Sequence, residues 1–512
     1  MEQVFAWVNS ILAFVGPLSD FFWDFPTNIK AYKAIPLLGD FSLAVIILVG
    51  SGLYFSFRLK FIQVTQFKAA LRLLVKNKQI TTGISPLAAF MLSSAMRVGP
   101  GNILGVTGAI SVGGPGALFW MWISGFFGMA TAYVESTLAQ LFKEKKGDEY
   151  VGGLPFYGRC LMGNKAWVGV FLSGMYILYA LGCLPAQGFN VVSSLVEMAS
   201  IATGVKYPTQ STLVYVVAAL VMLGTIVLAF GGIHKVTAVT DKMVPVMAII
   251  YVSTVVLLIL ANIGSVPYFF QAVFVGAFKP EAIFGGFLGT AVVQGVKRGL
   301  MSNEAGQGTI TMAAAAADAD HPCEQGLLAA IGVMLDTHII CTMTGFIVVM
   351  AHSWTMDLAI WEKAGKLPKF LLSVSTLTPG VGLHDIVTFM LTLCFCLFAY
   401  TCLIGMITFP EIAAARISKS RACVIVVRCI CLAVAAFGIV VNIAGYDLGN
   451  LWAFSDLANI LIVYANIPNL YLGLKYVVKA TEHYRLQGDQ NFTGEVLGSK
   501  MAKYCVCWQK NK

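Results

Sequence analysis

The stretch 93-SSAMRVGPGNILGV-106 decides how this chain is read. It sets an arginine, a proline, two neighbouring glycines and an asparagine in the middle of a segment long and apolar enough to cross a bilayer. A transmembrane helix pairs every backbone N–H and C=O within itself, and each group left unpaired in hydrocarbon is costly. Pro100 has no N–H to offer, and Gly99 and Gly101 allow unusual φ values and a close approach of a ligand to the backbone. The helix is therefore predicted to break here, which is tolerable only where the freed groups line a cavity. A second segment behaves alike. About 200 residues later, 298-RGLMSNEAGQG-308 places Arg298, Asn303, Glu304 and Gln307 among Ala, Val and Gly. Each break is followed by a short turn with a proline (Pro115, Pro322) and then another apolar segment.

Outward from the breaks the chain is membrane-like throughout. Hydrophobic residues make up 58% and charged residues 12%, where a soluble domain carries roughly a quarter charged. Mean hydropathy is +0.79. Apolar segments fall at about 40–57, 85–112, 114–142, 166–197, 212–232, 243–263, 282–317, 327–351, 384–409, 424–444 and 450–477, each able to span about 30 Å of hydrocarbon as a helix. The fold class expected is an all-α polytopic membrane protein with about 11 transmembrane helices. Five segments follow from each break, an odd number, so the second unit is inverted relative to the first. That gives a 5+5 inverted repeat with one extra N-terminal span. Interrupted segments at matching positions of inverted halves point to a transporter's midplane site.

The net charge of +9 (34 basic, 25 acidic) sits in short loops, as membrane topology requires, and no nucleic-acid partner is expected. Loop 58–78 has six basic residues and no acid. It belongs inside, which puts the N-terminus outside and the C-terminus in the cytoplasm. Lys143–Lys165, His234–Lys242, Arg416–Arg421 and Lys475–Lys512 then also lie inside, and Lys143, Lys145 and Lys146 read as a topology signal. Residues 1–38 lack a basic n-region and a cleavage site, so no signal peptide is expected. They form an extracytoplasmic or interfacial segment; 39–478 is a single transporter domain, with repeats at about 85–263 and 282–478; 479–512 is a cytoplasmic tail, read as solvated. Trp354, Trp361 and Lys363 suggest an outer interfacial helix within 352–383. The twelve cysteines show no metal-ligand spacing and read as small buried hydrophobes. The six histidines are likewise unspaced, and HExxH, GxSxG and Walker patterns are missing, so neither a transition metal nor an enzyme is expected.

At 83-GISPLAAF-90, 101-GNILGVTGAISVGGPGALFWMWISGFFGMAT-131 with Glu135, 298-RGLMSNEAGQG-308, 321-HPCEQGL-327, 332-GVMLDTHIICTMT-344 and 398-FAYTCLIG-405, from about 40 to 475, the chain resembles the alanine/glycine:cation symporter family, of the leucine-transporter type. The resemblance implies import of small neutral amino acids (alanine, glycine or serine) with Na⁺ by alternating access, without further cofactors, in a bacterial-type inner membrane. It implies that Gly99, Gly101, Ser302, Asn303, Glu304 and Gly306 present the substrate with backbone groups, and that Gln187 lies near it. Asn102 and Asp336 supply hard oxygen ligands for the cation, and Thr401 and Cys402 stand where the family has a Ser/Thr-Thr pair.

Several positions depart from the family. Pro100 replaces Thr or Val, Arg97 a small or hydroxyl residue, Cys402 a Thr and Phe189 an Asn. Residues 406–410 replace a Trp-containing run. Arg97 is always protonated, and so could take the role of one sodium. A sodium-independent exchanger and an H⁺-coupled carrier of the same fold stay open as alternatives. A channel is disfavoured, since channels build filters by oligomer symmetry or pore rings. Asp336 has a second reading as a structural partner of Arg97, and Glu135 and Arg298 as members of ion pairs. Oligomeric state is not legible.

Overall fold

The computed structural model describes residues 2–35, 38–76, 80, 82–279, 288–351, 365–378, 380–418, 420–446, 448–487 and 492–509. Residues 282–287 of the seventh segment, with Trp354, Trp361 and Lys363, lie outside these. Among the described residues, eight helices are long and apolar enough to cross a membrane: Gly116–Leu141, Ala166–Thr203, Thr212–Ala229, Gly232–Ala261, Pro322–Met350, Gly382–Ile417, Arg421–Ile443 and Asn450–Gln487. The chain is an all-helical membrane protein. Its departures among the described residues are a small antiparallel hairpin, Glu144–Lys146 with Glu149–Val151, and a single parallel bridge between Ile84 and Ala317.

Local chemistry fixes where helices start. Ser85 Oγ accepts from the N–H of Ala88 at 2.9 Å, with Pro86 at the first helical position. His321 Nδ1 does the same for Cys323 N at 3.1 Å, followed by Pro322. Each satisfies a donor that a helix N-terminus would leave orphaned. Helices cross closely at glycine, as membrane packing favours; a Cβ on Gly438 would lie 2.0 Å from the Pro185 carbonyl oxygen.

The second segment runs as a helix over Pro86–Arg97, opens through Val98, Gly99 and Pro100, forms a π turn over Gly101–Gly105, and resumes over Val106–Gly113. The seventh runs over Leu288–Asn303, unwinds, and resumes as Thr311–Ala316. A second π stretch, Met334–Cys341, interrupts the eighth opposite the first break. Both interruptions fall where the sequence places them. The expected need for positive φ holds only at the second, where Gly306 and Gly308 sit at +94° and +74°. Gly99 and Gly101 are not left-handed; what they offer is closeness, since a Cβ would lie 3.4 Å from Cys402 Sγ and 3.5 Å from the Met301 carbonyl oxygen respectively.

Three loop and terminal expectations need correction. Residues His234–Lys242 are not a loop but the start of the sixth helix, which begins at Gly232 and outruns the bilayer span. Lys143 is buried, donates to the Ala317 carbonyl at 2.7 Å and covers the Tyr150 ring at 3.9 Å, so packing accounts for it. The tail is not a solvated extension. Leu497 and Cys505 are buried, Trp508 Nε1 donates to the Gln140 carbonyl at 2.7 Å, and Cys507 Sγ to that of Lys143 at 3.3 Å. An aromatic and apolar tail has surface to bury, and it finds the end of the third segment. The N-terminal segment also folds, as helices Glu2–Ile11 and Val15–Asp24.

Candidate functional site

At the first break, Asn102 turns its amide across the gap. Its Oδ1 accepts from the Gly99 N–H at 2.9 Å, closing the break locally. Its Nδ2 lies 2.6 Å from Asp336 Oδ1 and 3.0 Å from Ser302 Oγ. Ser302 Oγ donates to Asp336 Oδ2 at 2.6 Å, and Thr337 Oγ1 to the same oxygen at 3.0 Å. Asp336, Asn102, Ser302 and Thr337 are all fully buried. The three breaks and bends thus meet at one carboxylate. The carboxylate and the two hydroxyls are hard oxygen donors that suit a cation of the Na⁺ type. Asn102, expected to supply an oxygen ligand, presents its NH₂ group instead, because its oxygen is taken by Gly99. An intramembrane carboxylate such as Asp336, with no ion-pair partner among the described residues, is a functional candidate by default.

The second break is held differently. Arg97, 1% exposed, sends its guanidinium across from the second segment, where Nε donates to the Asn303 carbonyl at 3.0 Å. Glu135 Oε2, from the third, accepts the N–H groups of Gly306 at 3.2 Å and Gly308 at 3.0 Å. Asn466 Nδ2 takes the Gly306 carbonyl at 2.9 Å, while its Oδ1 accepts from Tyr157 at 2.6 Å. Glu304, at φ +55°, receives Tyr179 OH at 2.9 Å and Thr309 Oγ1 at 2.6 Å. The Arg97 charge acts on three buried carboxylates, Glu135, Asp336 and Glu304. Its Nη1 and Nη2, and Glu135 Oε1, have no hydrogen-bond partner among the described residues. A Cβ on Gly332 would collide with Nη1, so a glycine is what admits the guanidinium there.

Between the two breaks lies a cavity of about 50 Å³, roomy enough to hold water on a scale where one molecule needs roughly 10–15 Å³. Gly99, Gly101, Gln187, Glu304, Met301 and Cys402 line it, and Arg97 borders it. Gln187 Oε1 is an unpartnered buried acceptor among the described residues.

The residues expected at the site therefore divide. Gly99, Gly101, Gln187, Glu304 and Cys402 reach the cavity. Ser302, expected with the substrate group, instead joins Asn102 and Asp336. Asn303 turns to Thr337 at 3.2 Å, and Gly306 to Glu135. Thr401 spends its hydroxyl on its own helix, at the carbonyls of Leu397 and Phe398, and Cys402 Sγ lies 3.4 Å from the Met96 carbonyl oxygen. Arg97 is bonded to neither of these two. The second reading of Asp336, as a structural partner of Arg97, finds no bond between them; Arg97 takes the Asn303 carbonyl instead. Arg298 does form an ion pair, with Asp456 at 3.2 Å. Tyr179 and the last-helix amides Asn459 and Asn466 escaped the sequence reading. Their signal was two asparagines seven residues apart in an apolar span, which stacks them on one helix face.

The family model described as "Sodium:alanine symporter family" matches residues 30–496. The chain is similar to the probable sodium/glutamine symporter GlnT of Bacillus subtilis (strain 168), 35% identical over 447 residues, 87% of this chain and 88% of the relative. It is similar to the sodium/proton-dependent alanine carrier protein of Bacillus sp. (strain PS3), 32% identical over 454 residues, 85% of this chain and 96% of the relative. Among solved structures, Mhp1, a nucleobase-cation-symport-1 family transporter in a closed conformation, is similar with a TM-score of 0.45 and 11% identity, covering 81% of this chain and 82% of that one.

Proposed function

The chain belongs to the sodium:alanine symporter family, and from that premise we propose that it imports a small neutral amino acid, alanine, glycine or serine, with Na⁺ by alternating access. It is a cation-coupled amino-acid symporter in a multi-pass membrane protein, not an enzyme. The observation that carries the finer reading is the junction of both broken segments at Asp336. Asn102 and Ser302, which reach this carboxylate, are each one residue from a cavity-lining neighbour, Gly101 and Met301. A cation held there bears on both walls of the cavity at once, so its arrival and the substrate's are coupled through one short piece of backbone. The hydroxyls that now donate to Asp336 can turn and offer lone pairs to the ion.

The eight continuous helices, the two broken segments and the helix Leu43–Arg58 make eleven spans, which supports a 5+5 inverted repeat of the leucine-transporter type behind one extra N-terminal span. The orientation supported by the basic loops has the N-terminus outside and the C-terminus in the cytoplasm, in a bacterial-type inner membrane. The close approach of Gly99 to Cys402 and of Gly101 to Met301 favours a small side chain, as in alanine, glycine or serine, over glutamine, the amino acid in the name of one relative.

Arg97 favours a second reading, a carrier with reduced sodium dependence, coupled to H⁺ or running as an exchanger. Its fixed charge stands inside a group of three buried carboxylates, where it neutralises one charge that a cation would otherwise offset. One experiment separates the two. Purified protein in liposomes is offered labelled alanine, glycine, serine and glutamine in Na⁺ or choline, for wild type and for Arg97→Thr with Cys402→Thr. Steep sodium dependence in the wild type supports symport. Weak dependence that steepens in the double variant supports the second reading. Trans-stimulated exchange distinguishes either from a channel, and uptake of none of the four would refute the substrate class.

A further inference from the structure

We propose that the N-terminal segment, through Trp23, is the positioning element of the cavity's outer roof. The inference rests on taking the cavity as the substrate site. The roof is formed where the helix Leu288–Asn303 meets the start of Asn450–Gln487; Met301 lines the cavity from one side, Trp452, Ser455 and Asn459 from the other. Asp456 follows Ser455 by one residue, about 100° further round the helix. Its carboxylate receives Lys297 Nζ at 2.9 Å and the Arg298 guanidinium at 3.2 and 3.4 Å. One carboxylate thus ties the two sides of the cavity together, and substrate entering from this end must part it from its cations.

Trp23 lies upstream of the matched family region, which begins at residue 30, yet it is 1% exposed. Its indole N–H donates to the Asp456 backbone carbonyl at 3.0 Å, and its ring lies 5.0 Å from the Lys297 ammonium. The same side chain therefore grips the last helix and holds the cation that bridges to the seventh segment. Two basic groups share one carboxylate here, and the face of an indole ring supplies the additional negative potential that the second needs. Neighbouring contacts extend the grip along that helix: Asn450 Nδ2 donates to the Asn9 carbonyl at 2.9 Å, and Tyr464 OH to that of Phe22 at 3.0 Å. The segment clasps one side of the helix whose other side is the roof. Without Trp23, Lys297 loses a partner, the Asp456 carbonyl is left bare, and the roof parts more easily.

Two native thiols report on the roof. Cys183 and Cys402 line the cavity and are buried, and Cys183 Sγ lies 3.2 Å from the roof residue Ser455. Membranes oriented with the N-terminal face outward are treated, without substrate, with a small impermeant thiol reagent, and the ratio of modified to unmodified Cys183 peptide is followed by mass spectrometry. Trp23→Ala is expected to speed Cys183 modification roughly five- to thirtyfold. Trp23→Leu, which keeps apolar volume but neither ring nor N–H, is expected to do the same and carries the test should the alanine variant not accumulate. An unchanged ratio in a folded variant overturns the inference. Because no substrate is present, sodium-driven uptake with an unchanged ratio would sink this inference alone, while faster Cys183 modification in a protein that carries no amino acid would sink only the transport reading.

Discussion

At the first break the buried carboxylate, Asp336, is surrounded by side-chain donors: an amide and two hydroxyls. At the second, Glu135 takes two backbone N–H groups through a single oxygen, and Arg97 takes a backbone carbonyl. Side-chain hydroxyls rotate, and each is acceptor as well as donor. A backbone N–H in an unwound strand can do neither, and without a partner it is orphaned in hydrocarbon. The first arrangement can release its carboxylate to an incoming cation; the second cannot release Glu135 without losing the shape of the break. Two equally buried carboxylates, on the third and eighth segments, thus have opposite work: one exchanges partners, the other holds backbone.

The sharpest way to break this contrast is to remove Glu135. Glu135→Ala strands the N–H groups of Gly306 and Gly308 and should cost about 2–6 kcal/mol, at roughly 1–3 kcal/mol for each buried donor left unsatisfied. The variant is expected to unfold on detergent extraction in a gel-filtration assay. A stable, monodisperse Glu135→Ala would show that the second break is not held from the third segment. Glycine substitutions come next. Gly306→Ala forces a Cβ at φ +94°, 3.3 Å from Ile467 Cδ1, and should cost roughly 1–3 kcal/mol. Gly101→Ala meets nothing nearer than 3.5 Å, so its melting temperature should stay near wild type while uptake falls as the cavity narrows. Equal melting temperatures for the two would erase the difference between the breaks. The smallest effect is expected at Asp336. Sodium at ten times its Kd should stabilise the wild type by about 1.4 kcal/mol, and Asp336→Asn should remain folded but lose that increment together with gradient-driven accumulation. Sodium stabilisation that survives in Asp336→Asn would move the ion elsewhere.

Both breaks were legible because a Gly-Pro-Gly-Asn and a Ser-Asn-Glu-Ala-Gly cannot sit quietly in a lipid-spanning helix. That Asp336 matters was legible from the residues, since an intramembrane carboxylate must face inward; its grouping with Asn102 came only from the family resemblance. Direction was not. Helical periodicity says which way a side chain points only while the helix continues, and Arg97 is the last residue before the break. Its phase relative to Asn303, Glu135 or Cys402 is set by tertiary packing, notably by the room left at Gly332. The same holds for Ser302 and Asn303, neighbours that end on different partners. The C-terminal tail was misjudged for another reason. Its stretch 504-YCVCW-508 is apolar and aromatic but too short to show a periodicity, so nothing in it says that it finds a groove.

The π turns at Gly101–Gly105 and Met334–Cys341 give the paired segments slack. A π turn holds one residue more than the α turn it replaces, so each segment stores a spare residue beside Asp336. Winding one spare back into α geometry would rotate the rest of that helix by about 100° and slide it by about 1.5 Å, with no end of the protein being pulled. A cation that tightened either turn would therefore act as a key in a wound spring, turning a contact change of a few tenths of an ångström into a change of which side chains face the cavity.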